Sequence, residues 1–270
     1  MSINDISLSG GMRQNLANLQ LVAALQARTT ERLSTGKRVN SAIDDPSAYF
    51  AAKDHMNHAN DLAARKDSMG EAIQNVKAAM NGIDAINSLI EQAKGLAASA
   101  RGANATDRTN LATQFGEILS QIDQLSADSG YRGTNFLAGD SLTVAFNEDS
   151  SSTLTITGFD ATSTGLGIGA AQNAWAADTD IDAAVTDLNA ATVTLRTNTK
   201  TLSANLSVVT TRQQFASDLI TTLSDGASQL TAADQNEEGA NMLALQTRQQ
   251  LGITALSLSS QAQQSILKLF

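Results

Sequence analysis

His55 and His58 are the only histidines in the chain, three residues apart and flanked by Asp54 and Asp61. On a helix that spacing gathers imidazoles and carboxylates on one side, an arrangement that can ligate a transition metal. An exposed polar helix face uses the same residues, and it is the preferred reading. A Ser-His-Asp triad would have to recruit one of these two histidines, and neither lies in a strand-to-helix elbow or a glycine-rich turn. Cysteine is absent, which excludes thiolate catalysis, a Cys-ligated metal and disulfide stapling together. Gly165-Leu166-Gly167-Ile168-Gly169 suggests a phosphate cradle, but no Lys-Ser/Thr follows it and no buried strand of a nucleotide fold precedes it. Asp44-Asp45, just before Pro46, suits either a cation or the positive end of a helix dipole, and capping is preferred. Trp175, the single tryptophan, serves either recognition or packing between neighbouring elements. No catalytic, cofactor-binding or metal-ligating residue is therefore assigned, and no enzyme is expected.

Composition narrows the partners. A formal charge of −9 disfavours nucleic acid, whose phosphates require clustered Lys and Arg, and an anionic membrane surface. No apolar run is long enough for a transmembrane helix, and MSINDISLSGGMRQNL lacks the basic start and apolar core of a secretory signal peptide. An exported chain of this kind needs another route. The apolar 42% is drawn largely from Ala, Leu and Ile, with 4% aromatics and one proline, a composition for long uninterrupted helices.

Helical periodicity dominates the chain. Met12, Leu16, Leu19, Ala23, Gln26, Thr30 and Leu33 alternate steps of four and three along one stripe. Ser34 to Pro46 interrupts it as an elbow, with Pro46 suited to the first turn of the next helix. Met69, Ile73, Val76, Met80, Ile83 and Ile90 mark a second helix running to about Ala100, on the order of 80 Å long at ~1.5 Å per residue. Thr106 or Asp107 can cap a third, carrying Leu111, Phe115, Ile118, Ile122 and Leu125.

A Gly-, Ser- and Thr-rich stretch follows, where Leu142, Val144 and Phe146 alternate, as do Leu154 and Ile156, across the polar link Asn147 to Thr153. That predicts a β-hairpin, within about 141–170. Its hydroxyls, Ser150 to Thr153 and Thr162 to Thr164, suit either O-glycosylation or plain solvent-facing turns.

From Asp178 a heptad runs unslipped through Ile181, Val185, Leu188, Leu195, Leu202, Val209, Ala216, Ile220 and Leu223, and so long a stripe requires a partner helix. After a break near Ala232 to Glu238, Met242, Leu245, Gly252, Leu256, Ile266 and Phe270 form one stripe, while Leu243, Leu251, Ile253, Leu258, Leu267 and Leu269 fall outside it. A terminal helix apolar around most of its girth needs burial that a monomer seldom supplies. The expected fold is mainly α: a long antiparallel helical hairpin, or coiled-coil rod, with a small β-hairpin in mid-sequence and terminal helices that pair.

RLSTGKRVNSAIDDPSAYFAA (Arg32 to Ala52), IDQLSADSGYRGTNFL (Ile122 to Leu137) and EEGANMLALQTRQQLGITALSLSSQAQQSILKLF (Glu237 to Phe270) resemble three segments of bacterial flagellins, in the family's order. The resemblance covers roughly the first 140 and last 90 residues, and the C-terminal segment is similar to the short flagellins of alphaproteobacteria. It implies a structural subunit that polymerises into the flagellar filament for swimming, extracellular and exported unfolded by a type III route. Residues 1–44 with 232–270 would form an inner coiled-coil domain and 45–231 an outer helical domain, without a large outermost domain. Implied partners are further copies of the chain, an export chaperone on the C-terminal helix, and the filament cap and hook-filament junction proteins.

The expected subunit-interface residues are Met12, Leu16, Leu19, Leu33, Met242, Leu245, Leu256, Leu258, Ile266, Leu269 and Phe270. Where receptor-recognised flagellins carry Arg, Leu and Glu, this chain aligns Gln92, Leu96 and Gln114, which implies weak innate recognition. The alternatives are a hook-filament junction protein and a soluble coiled-coil adaptor; the adaptor predicts a stable dimer and leaves the apolar last helix unexplained.

Overall fold

In the computed structural model, residues 10–267 are described. Helices α1 (Gly10–Thr35), α2 (Pro46–Arg101) and α3 (Ala105–Asp128) precede strands β1 (Ser141–Ala145) and β2 (Thr153–Thr157), and helices α4 (Asp178–Thr231) and α5 (Gln235–Leu267) complete the chain. The described residues form two compact units, one from residues up to Asn57 with those from Leu223, the other His58–Thr222.

Local chemistry explains the helix starts. Pro46 opens α2, as its fixed φ and missing N–H favour. Asp45 stands before it as the cap: Oδ1 accepts the Ala48 amide at 3.0 Å. Asp44 turns the other way, Oδ2 accepting the amides of Asn40 (3.2 Å) and Ser41 (2.9 Å) and the Ser41 hydroxyl (3.0 Å). Asp45 thus meets the capping reading, while Asp44 braces the turn before the helix instead of the helix itself. At α3 the cap lies earlier than expected: Asn104, not Thr106 or Asp107, accepts the Asp107 amide through Oδ1 at 3.0 Å. Asp107 in turn accepts from the Asn104 side-chain Nδ2 at 2.7 Å, so the residue read as the cap is the cap's partner three positions on.

In the His58–Thr222 unit, α2 contributes Met69, Ile73, Val76, Ile83, Ile86 and Ile90 to the core, with alanines from Ala72 to Ala100 between and beyond them. The small side chains at Ala93, Ala97 and Ala100 carry on the stripe where no larger residue stands. From α4 Ile181, Leu188, Leu195, Leu202, Val209 and Ala216 are buried, while Val185, Ile220 and Leu223 of the same stripe are half-buried, so burial is complete at one position per heptad as far as Ala216 and loosens beyond it. Phe115 and Ile122 of α3 are fully buried in the same core.

The hairpin is antiparallel, Ser141 opposite Thr157 and Ala145 opposite Thr153, with Val144 and Ile156 turned inward. Arg212 of α4 lies over the Phe146 ring, 5.3 Å from its centroid, so the hairpin is held by a cation–π contact as well as apolar burial. Trp175 is fully buried with its ring centroid 5.0 Å from that of Phe115, which assigns it to packing. It reaches that position through a left-handed turn in which Asn173, Ala174 and Trp175 have φ of 45°, 49° and 58°.

Candidate assembly surface

The residues that invited a chemical reading do not converge. His55 is half-buried and His58 exposed. Among the described residues no cluster of three or more His, Cys, Asp or Glu side chains is placed to hold a metal. In the glycine run, Leu166 N donates to Thr162 O and Ile168 N to Ser163 O, both at 2.8 Å, while the Leu166 and Ile168 side chains are buried. Amides spent on the chain's own carbonyls form a structural turn, not a phosphate cradle. No helix of the described residues is long and apolar enough to cross a membrane.

The terminal unit offers a different kind of site, built from helix faces. α1 packs on α5 along a seam that includes Met12, buried at 8% exposure, and Leu19 and Leu33, half-buried. From α5 come Leu245, buried at 8%, and Met242 and Leu256, half-buried. On α1 the buried or half-buried row includes Asn15, Val22 and Thr29 where the apolar stripe had pointed to Leu16, Ala23 and Thr30, which are exposed. The physical reason is that polar groups take part in the seam: Asn15 Nδ2 donates to the Gly252 carbonyl at 3.4 Å. Gly252 permits this approach, because a Cβ there would sit 2.6 Å from Leu19 Cδ2.

The far end of the seam is pinned by groups that periodicity does not reveal. Arg32 Nη1 meets Glu238 Oε1 at 2.7 Å, with side chains 20% and 8% exposed. The chain after α1 turns through Gly36, whose φ is +68°, and the amides of Arg38 and Val39 donate to Thr231 O. Ala233 N returns a bond to Gly36 O at 2.9 Å. Glu238 also lies in the first turn of α5, where the helix dipole favours a carboxylate. We expect Arg32→Ala to destabilise the terminal unit by about 2–4 kcal/mol, somewhat under the usual cost of orphaning a buried charge because Arg32 keeps some solvent. The double variant Arg32→Met/Glu238→Leu should recover most of that loss. Amide exchange across α1 and α5 measures both; equal protection in Arg32→Ala and the unmodified chain would show that the pair contributes nothing.

With one face of α5 occupied by α1, a second apolar face is left in water. Leu243, Leu251 and Leu258 on it are 66%, 65% and 62% exposed, and Ile253, 50% exposed, stands at the edge of the α1 seam, where it lines a groove with Met12 and Leu16. On α1, Leu16 and Leu21 are likewise exposed. Of the other expected interface residues, Ile266 lies in α5 with its side chain outside the described residues, as are Leu269 and Phe270 altogether.

The bacterial flagellin N-terminal helical region matches residues 3–141. The chain belongs to the flagellin family. Flagellin FljM of Caulobacter vibrioides is 31% identical over the full length of both chains, and flagellin FljK of the same organism is 30% identical, again over the whole of both. A Brucella melitensis flagellin is 30% identical, covering 96% of this chain and 99% of its own. The crystal structure of a Bacillus cereus flagellin aligns with a TM-score of 0.48 at 18% identity, over 55% of this chain and 88% of that one. The chain is thus a short, alphaproteobacterial-like flagellin, a structural subunit of the bacterial flagellar filament. In this flagellin Gln92, Leu96 and Gln114 line one groove together with Glu117 and Ile118.

Proposed function

We propose that this flagellin acts by polymerisation alone, without catalysis, and that its second apolar face on α5 is the surface that neighbouring copies cover. The observation that carries this reading is the exposure of Leu243, Leu251, Ile253 and Leu258 on a helix whose other face is already packed. Burying such a side chain from full exposure is worth about 1.5–3 kcal/mol, and since these four stand 50–66% exposed they offer together on the order of 4–7 kcal/mol per subunit before ordering costs. An interface that repeats without closing produces a helical filament.

In this reading Met12, Leu16, Leu19, Leu33, Met242, Leu245, Leu256, Leu258, Ile266, Leu269 and Phe270 belong to the subunit interface, some by pairing α1 with α5 and others by facing the next copy. Residues 1–44 and 232–270 form the inner layer of the polymer, and 45–231 the surrounding layer. The subunit leaves the cell unfolded through a type III route and works outside it. A chaperone masks the C-terminal helix before export, which is what a helix with two apolar faces requires in the cytoplasm. The filament cap and the hook-filament junction proteins meet the same terminal helices at the two ends of the polymer.

The test is electron microscopy of purified subunit after seeding or salting-out, beside circular dichroism of the soluble form. Long helical filaments are expected, with helicity rising as they grow because assembly holds helix ends that fray in the soluble subunit. A persistently soluble, fully helical dimer would overturn the reading in favour of a coiled-coil adaptor.

A further inference from the structure

Resting on that polymerisation reading, we propose that the turn bearing Ile43 is a knob that seats in a groove on a second copy of this chain, where Lys37 and Lys53 meet the carboxylates beside it.

Ile43 is 95% exposed, the most exposed of the large apolar side chains among the described residues. Its exposure is built into a braced turn: Asp44 N donates to Ser41 O at 3.1 Å, and Asp44 Oδ2 takes the three bonds from Asn40 and Ser41 given above. Those bonds, the Ser41 amide foremost, hold the Asp44 carboxyl below the usual carboxylate range, so it is charged at neutral pH. Asp45 follows, capping α2 and standing 4.0 Å from Arg38. The turn therefore presents an apolar tip with two carboxylates behind it, and the tip touches little of its own chain.

The matching concavity lies in the same terminal unit. Its cavity of about 390 Å³ has a buried floor that includes Val39, Ala52 and Ala227, and its rim includes Lys37, Lys53 and Met56. No carboxylate lines it. Lys37 and Lys53 form no ion pair among the described residues. Met56, 42% exposed, adds a flexible apolar wall of the kind that adapts to an inserted side chain. An apolar floor beneath two ammonium groups complements an isoleucine backed by two aspartates in both shape and charge. Ile43 itself does not line the groove and Asn40 alone belongs to both the braced turn and the groove lining, so a copy whose tip is engaged still offers its groove to the next. That is a heterologous contact, the kind that extends a polymer instead of closing a pair.

Filaments grown from a mixture of ¹⁴N- and ¹⁵N-labelled chain, treated with a zero-length carbodiimide and digested, should yield peptides joining Lys37 or Lys53 to Asp44 or Asp45 in mixed-isotope pairs. Ile43→Ser should raise the critical concentration for polymerisation roughly tenfold, while Ile43→Val leaves it nearly unchanged. Filaments that give only single-isotope pairs, or an Ile43→Ser critical concentration equal to that of the unmodified chain, overturn the knob-and-groove contact and leave the polymerisation reading standing. Failure of the unmodified chain to form filaments overturns that reading, and this inference with it.

Discussion

Replacing Leu243, Leu251 and Leu258 together by glutamate is expected to abolish filament growth while the isolated subunit keeps its helical spectrum. All three side chains are more than three-fifths exposed, so the substitutions place carboxylates in water and open no cavity. In the proposed polymer the same positions are buried against another copy, where an unpaired carboxylate costs several kcal/mol and each lost leucine about 1–2 kcal/mol more. That sum exceeds what a repeated contact can lose and still propagate. Sedimentation after seeding measures the polymer, and circular dichroism of the supernatant measures the fold. Filaments of ordinary length from the triple variant would show that copies meet through some other surface. Leu245→Glu makes the contrast, since Leu245 is buried and its replacement should damage the terminal unit itself.

Gly158→Ala is expected to destabilise the His58–Thr222 unit by about 3–5 kcal/mol, the range in which backbone has to move. A Cβ at Gly158 would overlap the carbonyl oxygens of Asp140 and Phe136 and lie 2.8 Å from Phe136 Cα. These contacts are main chain, and they are locked: Gly158 N donates to Asp140 O at 2.8 Å, Phe159 N to Phe136 O at 2.7 Å and Ala161 N to Leu137 O at 2.8 Å. Relieving the overlap therefore breaks the bonds that hold the strand-return segment against buried Phe136 and Leu137. Gly116 is the control. It sits inside α3 with open space around its Cα, so Gly116→Ala should stabilise by about 0.5–1 kcal/mol through helix propensity alone. Urea unfolding followed through the buried Trp175 reads both; a Gly158→Ala midpoint equal to that of the unmodified chain would mean the segment adjusts without loss.

Much of the fold was legible because its signals are periodic. Six members of the α4 heptad from Ile181 to Ala216 are buried, since a seven-residue repeat leaves one register for the partner face, while Val185, Ile220 and Leu223 stand half-buried at its edge and end. The alternation at Leu142, Val144 and Phe146, and again at Leu154 and Ile156, placed the hairpin and its inward face. On α5 the division into a stripe and a remainder anticipated the outcome: Met242, Leu245 and Leu256 pack inward, and Leu243, Leu251, Ile253 and Leu258 are the ones left exposed. The α1 seam was legible only to within a neighbouring row. Thr29 is buried and Asn15 half-buried, yet neither is apolar, and a hydrophobic stripe drifts toward Leu16 and Thr30 when polar residues hold the contact.

Composition and periodicity determine by themselves that this chain is mainly helical with an apolar last helix, and the resemblance of three segments in order points to the flagellin family. Those properties are carried by local spacing and by residue types along the chain, and no folding is needed to read them. Tertiary structure alone decided which polar groups meet across distance: Arg32 with Glu238, Asn15 with the Gly252 carbonyl, and Arg212 with Phe146. It also decided that Ile43 stands in water while Trp175 and Glu238 do not. Partners separated by some two hundred positions, as Arg32 and Glu238 are at 206, leave no periodic trace, because their pairing is set by how whole helices are brought together.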